Sequence, residues 1–168
     1  ISHHARRPLS DGWSLACASP AAEGQALPPT SGNWTPIPHL LPVAAALREL
    51  GQWSLQAPVR HFDAQDWWYR LHFDADPTAD DAHSVLGLDG LATLAEVWLN
   101  GHCLLRSDNM FMAHTCDVDT LLQSSGNELL LRFAALDRQL AVRRKRPRWR
   151  VPMTAHAQLR WFRTTLLG

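Results

Sequence analysis

The sequence lacks the short signatures that announce chemistry. No GxSxG elbow occurs to hold a strained serine nucleophile, and no GxGxxG or GxxxxGK[ST] loop occurs to let the backbone approach a phosphate. No HxH, HExxH or EF-hand pattern occurs, although there are nine histidines. Apart from His3 and His4 they are scattered, which argues against a metal site and leaves no cofactor implied. Cysteine is scarce: Cys17, Cys103 and Cys116 are odd in number, far apart, and form no CxxC pair. That pattern disfavours a disulfide framework or a zinc site. Each lies in an apolar strand-like segment, which predicts three small buried hydrophobes.

Long apolar runs are also missing. None approaches the roughly 18 residues of a membrane helix, so no membrane partner is expected. The start, Ile1 to His4, has neither a signal-peptide pattern nor an initiator Met. Residues are expected to precede it. Without a visible signal peptide, and with unpaired cysteines, a cytoplasmic location is favoured. The apolar run at Thr165–Gly168 carries no stop signal. The chain therefore reads as a fragment of something longer, and its 168 residues suffice for a single domain.

Acidic residues are absent from the last section. Residues 1–137 hold all 16 acids and 7 of the 16 basic residues, a balance of −9, while residues 138–168 carry the other 9 basic residues and sum to +9. Two such halves have different surroundings. The basic segment is expected to pack on the acidic body or on a neighbouring domain, with Arg143, Arg144, Arg146 and Arg148 as planar, hydrogen-bonding docking groups. Anion or nucleic-acid binding is the weaker reading, because Pro147 and the single Lys145 fit no known nucleic-acid module.

Prolines crowd residues 20–42, a loop-rich stretch. An opening strand is predicted over Gly12–Ser19, and a short helix over Pro42–Gly51, where Pro42 suits the first turn and Gly51 the stop. From there the period becomes two. Trp67, Tyr69, Leu71 and Phe73 share one face of a strand, and Trp68, Arg70 and His72 the other. Further strands are predicted over Ala82–Leu88, Thr93–Leu99, His102–Arg106, Met110–Val118 and Asn127–Phe133. Asn100-Gly101 between two apolar runs marks a two-residue hairpin. Short strands, frequent turns and connections too short for helical crossovers predict an all-β fold, an antiparallel sandwich with one short helix. Its core spans about 11–135, followed by the basic segment 136–168.

Eight tryptophans remain to be placed. Trp67 and Trp68 must point to opposite faces, and Trp98 lies on the face of Glu96, opposite Val97 and Leu99. Exposed rings of this kind suit a partner or a sugar face. Asp63 and Asp66 are close enough for acid/base work, but their position before a strand also suits a loop or cap.

An ordered set of segments then resembles the N-terminal domain of glycoside hydrolase family 2. These are DWWYR at 66–70, LDGL at 88–91, AEVWLNG at 95–101 and NMF at 109–111. Trp34, PIP at 36–38 and LREL at 47–50 resemble the same family's loop and small helix. The closer likeness is to β-mannosidase-type members; β-galactosidases and β-glucuronidases share the family. The resemblance implies a galactose-binding-like jelly roll placed before an immunoglobulin-like sandwich and a (β/α)8 barrel. On that barrel two glutamates would perform retaining hydrolysis, so the catalytic residues would lie outside this chain. The WDWGP-like motif of β-mannosidases does not occur. The domain is then expected to be non-catalytic, to shape substrate access, and to dock on the downstream domains. His61, Asp66, Trp67 and Trp98 are the expected contacts to sugar or to those domains, and the isolated chain is expected to self-associate. The alternative is a stand-alone carbohydrate-binding module.

Overall fold

The computed structural model describes residues 6–21, 28–29, 33–75 and 83–142. Along these residues run β1 (Trp13–Ala18), β2 (Thr35–Pro36), α1 (Val43–Glu49), a 3-10 helix (Phe62–Ala64), β3 (Asp66–Phe73), β4 (Val85–Leu88), β5 (Ala95–Leu99), β6 (His102–Ser107), β7 (His114–Asp117), β8 (Asn127–Phe133) and α2 (Asp137–Ala141). All pairings are antiparallel. One sheet has the order β2-β1-β3-β8-β5-β6, and a second consists of β4 and β7. The predicted all-β class is what is found.

The alternation read in the sequence decides the layering. Trp67, Tyr69 and Leu71 of β3, Leu129 and Leu131 of β8, Ala95 and Val97 of β5, and Trp13 and Leu15 of β1 form one buried cluster. Val43, Ala46 and Leu47 of α1 join it, with Leu86 and Leu88 of β4 packed against it. The large sheet therefore buries one face under α1 and the small sheet. Burying a side chain of this size stabilises by about 1.5–3 kcal/mol. Tyr69 also finds a partner for its hydroxyl, which donates to the Leu41 carbonyl at 2.7 Å.

The β5–β6 hairpin turns at Asn100 and Gly101, with φ of 50° and 80°. Both are in the left-handed region that this turn requires. Asn100 does more than turn the chain. Its Nδ2 donates to the Leu121 carbonyl (2.7 Å) and to Asn127 Oδ1 (3.0 Å), and its Oδ1 accepts from the Glu128 N–H (2.8 Å). Asn127, fully buried, donates to the Phe73 and Gln123 carbonyls and accepts from the Gln123 N–H. Two asparagines thus tie the hairpin to the start of β8.

Three expectations need correction. The helical content exceeds one helix, because Leu136 and Leu140, four residues apart, are buried beside Leu94 and hold α2 in place. The strand expected over 110–118 shortens to β7, because Asn109 Oδ1 accepts the Phe111 N–H and folds 109–112 into a turn. The cysteines are not buried hydrophobes: Cys17 and Cys103 are exposed and Cys116 is intermediate. Cys17 sits near the end of β1, and Cys103 lies on the edge strand β6 beside the irregularity at Val97 and Trp98.

Candidate functional site

Two features of the β3 region concentrate the chemistry: the connection leading into the strand and the outer face of the sheet. The connection begins where α1 stops. Gly51, at φ 67°, lets the chain reverse, and the Gln52 N–H bonds to the Leu47 carbonyl at 2.8 Å. The chain then runs over the sheet end to the 3-10 helix. Trp53 meets Phe62 edge-on at 5.5 Å, and Phe62 lies 6.1 Å from Trp67. The Trp67 indole N–H donates to the Phe62 carbonyl at 2.9 Å. The Arg60 guanidinium lies over the Phe62 and Trp67 rings at 5.5 and 5.3 Å. Beneath Arg60 a pocket of about 90 Å³ opens, bounded by Cys17 and Trp67 of the sheet and by Leu47 and Gln52 at the end of α1.

The sequence-predicted contacts fall out unevenly. His61 is exposed beside Arg60. Asp66 and Trp67 are each 1% exposed. Asp66 presents no surface to sugar, and Trp67 meets the outside only where it borders the pocket. Asp66, expected as a contact from the family resemblance, instead belongs to a buried ion cluster. Asp66 Oδ2 accepts from Arg132 Nε (2.9 Å) and Nη2 (2.7 Å), while Oδ1 accepts the Ala135 N–H (2.8 Å). Arg132 Nη1 donates to Glu96 Oε2 at 2.9 Å, and Nη2 also reaches the Ala21 carbonyl. Glu96 Oε1 accepts from Arg106 at 3.3 Å. The register explains the meeting, since Trp68 of β3 and Glu96 of β5 both pair with Arg132 of β8. Alternation along β8 sets Arg132 opposite Leu131, but sequence reasoning missed the cluster. The available signal was a lone cation inside the apolar run Leu129–Phe133.

The outer face continues from this cluster. Trp68 and Trp98 stack at 5.5 Å with a 21° interplanar angle, although β8 separates their strands. Trp98 is partly exposed and Trp68 is buried. The Arg70 guanidinium lies 4.3 Å from the Trp34 centroid. Trp98 therefore lies on the predicted face with Glu96, but it is supported by a second ring and is not fully displayed. Arg143, Arg144, Arg146 and Arg148 lie outside the described residues. Among the described residues no group of three His, Cys, Asp or Glu side chains could hold a metal.

A separate histidine–carboxylate pair closes the small sheet. His83 Nδ1 lies 2.6 Å from Asp119 Oδ2, and Asp119 Oδ1 accepts the Ser84 N–H. The hydrogen bond from Asp119, and then its charge, raise the His83 pKa above the ordinary 6.5. The Ser84 N–H, and then the His83 hydrogen bond, lower that of Asp119 below 3.8. The raised His83 value stabilises below pH 6.5 and is lost as pH rises through the folded value. The lowered Asp119 value stabilises above pH 3.8 and is lost as pH falls through the folded value. Both contributions are complete between those ordinary values and fade beyond them. An NMR titration should place the His83 midpoint above 6.5, and Asp119→Asn should bring it back down. A midpoint unmoved by that substitution would show that the pair does not persist in solution.

Residues 50–166 match the family model described as "Glycosyl hydrolase 2 galactose-binding domain-like". A β-mannosidase B of Aspergillus flavus is 34% identical over 150 residues, covering 83% of this chain and 16% of that protein. A β-mannosidase B of Thermothelomyces thermophilus is 46% identical over 67 residues, covering 40% of this chain and 8% of its own length. The chain thus spans less than a fifth of these curated relatives. Among solved structures, a β-D-mannosidase from Dictyoglomus thermophilum matches with a TM-score of 0.59 at 23% identity, over 79% of this chain and 16% of that one. At that identity the match speaks for the fold.

Proposed function

Because the chain belongs to the glycosyl hydrolase 2 galactose-binding domain-like family, we propose that it is the non-catalytic N-terminal domain of a larger β-mannoside-cleaving enzyme. One observation carries this reading: the chain matches the family along 50–166, yet spans only 16% of the β-mannosidase B from Aspergillus flavus. The rest of such a protein is where hydrolysis would take place. The condition of the two buried acids supports the division of labour. A general acid or nucleophile must reach the sugar. Asp66 and Glu96 are instead buried and bonded to Arg132.

The domain then contributes a rigid wall against which downstream domains of the parent chain dock. His61, exposed beside the pocket, and Trp98, partly exposed above Trp68, are the two sequence-predicted contacts still available for this. The test is an assay of the 168-residue chain on 4-nitrophenyl β-D-mannopyranoside beside the full parent polypeptide. The parent should release nitrophenol and the chain alone should release none. Turnover by the chain alone, or a parent inert on this substrate, overturns the reading.

A further inference from the structure

The pocket under Arg60 is not used by the reading above, and its chemistry is specific. Arg6, Arg106 and Arg132 each face a carboxylate. Arg60 has no ion pair among the described residues, although the body around it, residues 1–137, carries all 16 acids. Among the described residues no Asp or Glu lines the cavity; the polar lining besides Arg60 comes from Asn33, Thr35 and Gln52, with Cys17. The guanidinium is held in place by the faces of Phe62 and Trp67, so little freedom is lost when an anion arrives. Trp67, at 1% exposure, gives the pocket a rigid wall.

We propose that this pocket binds a carboxylate through Arg60. A guanidinium fork matches the two oxygens of a carboxylate, and the neutral amides and hydroxyl nearby can serve groups next to it without competing for Arg60. A volume of about 90 Å³ is far below that of a drug-sized ligand site. It admits the acidic end of a ligand and excludes a chain of sugars. Two sources share this chemistry: the carboxylate of a uronic acid, and an acidic side chain of a polypeptide. The assignment stands apart from the accessory-domain reading and is tested on the 168-residue chain itself.

The experiment is an NMR titration that follows the Trp67 indole N–H at constant ionic strength. Sodium glucuronate, N-acetyl-aspartate amide and neutral glucose are added separately. A saturable shift with either carboxylate and none with glucose supports the site, and the tighter of the two acids identifies the source. Arg60→Gln should weaken binding about tenfold or more, the range of a charge-assisted hydrogen bond. Arg60→Lys should keep part of it. Gln52→Glu should block the site from within by giving Arg60 a carboxylate of its own. Unchanged Trp13 and Asn127 signals confirm that each variant is folded. No saturable shift with either acid, an equal shift with glucose, or undiminished binding in Arg60→Gln would overturn the proposal.

Discussion

Replacing Arg132 by Met should destabilise the domain by about 3–5 kcal/mol, because the change strands two buried carboxylates. Asp66 is 1% exposed and Glu96 5%, and Arg132 bonds to both. Arg106 would still reach Glu96, but Asp66 would keep only the backbone N–H groups of Ala21 and Ala135. For a domain of this size the loss corresponds to a fall in Tm of about 10 °C. The triple variant Arg132→Met, Asp66→Asn, Glu96→Gln should recover much of it, since it removes the stranded charges along with the cation. Arg132→Lys should fall between, because one ammonium cannot span both carboxylates as a planar fork does. Thermal unfolding of the three proteins checks the order. A single variant as stable as the triple would mean that the cluster contributes little.

Asn127 is the second sensitive point, with an expected loss of about 3 kcal/mol on truncation to Ala. Its side chain makes four bonds from a fully buried position, to Phe73, to Gln123 twice and to Asn100. Truncation leaves the Gln123 N–H and two carbonyls without their partner. Asn127→Asp should be worse at neutral pH, because a carboxylate oxygen would then face the Phe73 and Gln123 carbonyls in place of the amide donor. Protonation restores a donor there, so that variant should gain stability as pH falls from 7.5 to 5. Urea unfolding at both values tests it. Equal midpoints at the two pH values would show that the site admits water.

The local parts of this fold were open to reading before any coordinates. The period of two in β3 and β8 sorts Trp67, Tyr69 and Leu131 from Trp68 and Arg132, and the structure keeps that sorting. Asn100-Gly101 was legible because few residue pairs accept two positive φ angles in succession. What depends on register was not. Asp66, Glu96 and Arg132 lie up to 66 positions apart, and nothing along the chain says that β8 enters between β3 and β5. The same ignorance made Asp66 and Trp67 look like surface contacts. It also hid the exposure of Cys17 and Cys103, since a strand's end or edge is defined by its neighbours. The pocket combines β1, α1 and the 51–65 connection, and no local pattern announced it.

The strand order carries a consequence for biogenesis. Among the described residues β8 is the last strand made, yet it sits between β3 and β5 like a keystone. During vectorial synthesis on the ribosome, β2-β1-β3 and β5-β6 can form only as two separate ribbons, each with an open edge. They join once residue 133 has emerged. Until then the β3 edge stays open and Trp68 cannot be fixed against Trp98 on a nascent chain. Translation speed and chaperone capture in that interval would then govern how much of the polypeptide matures.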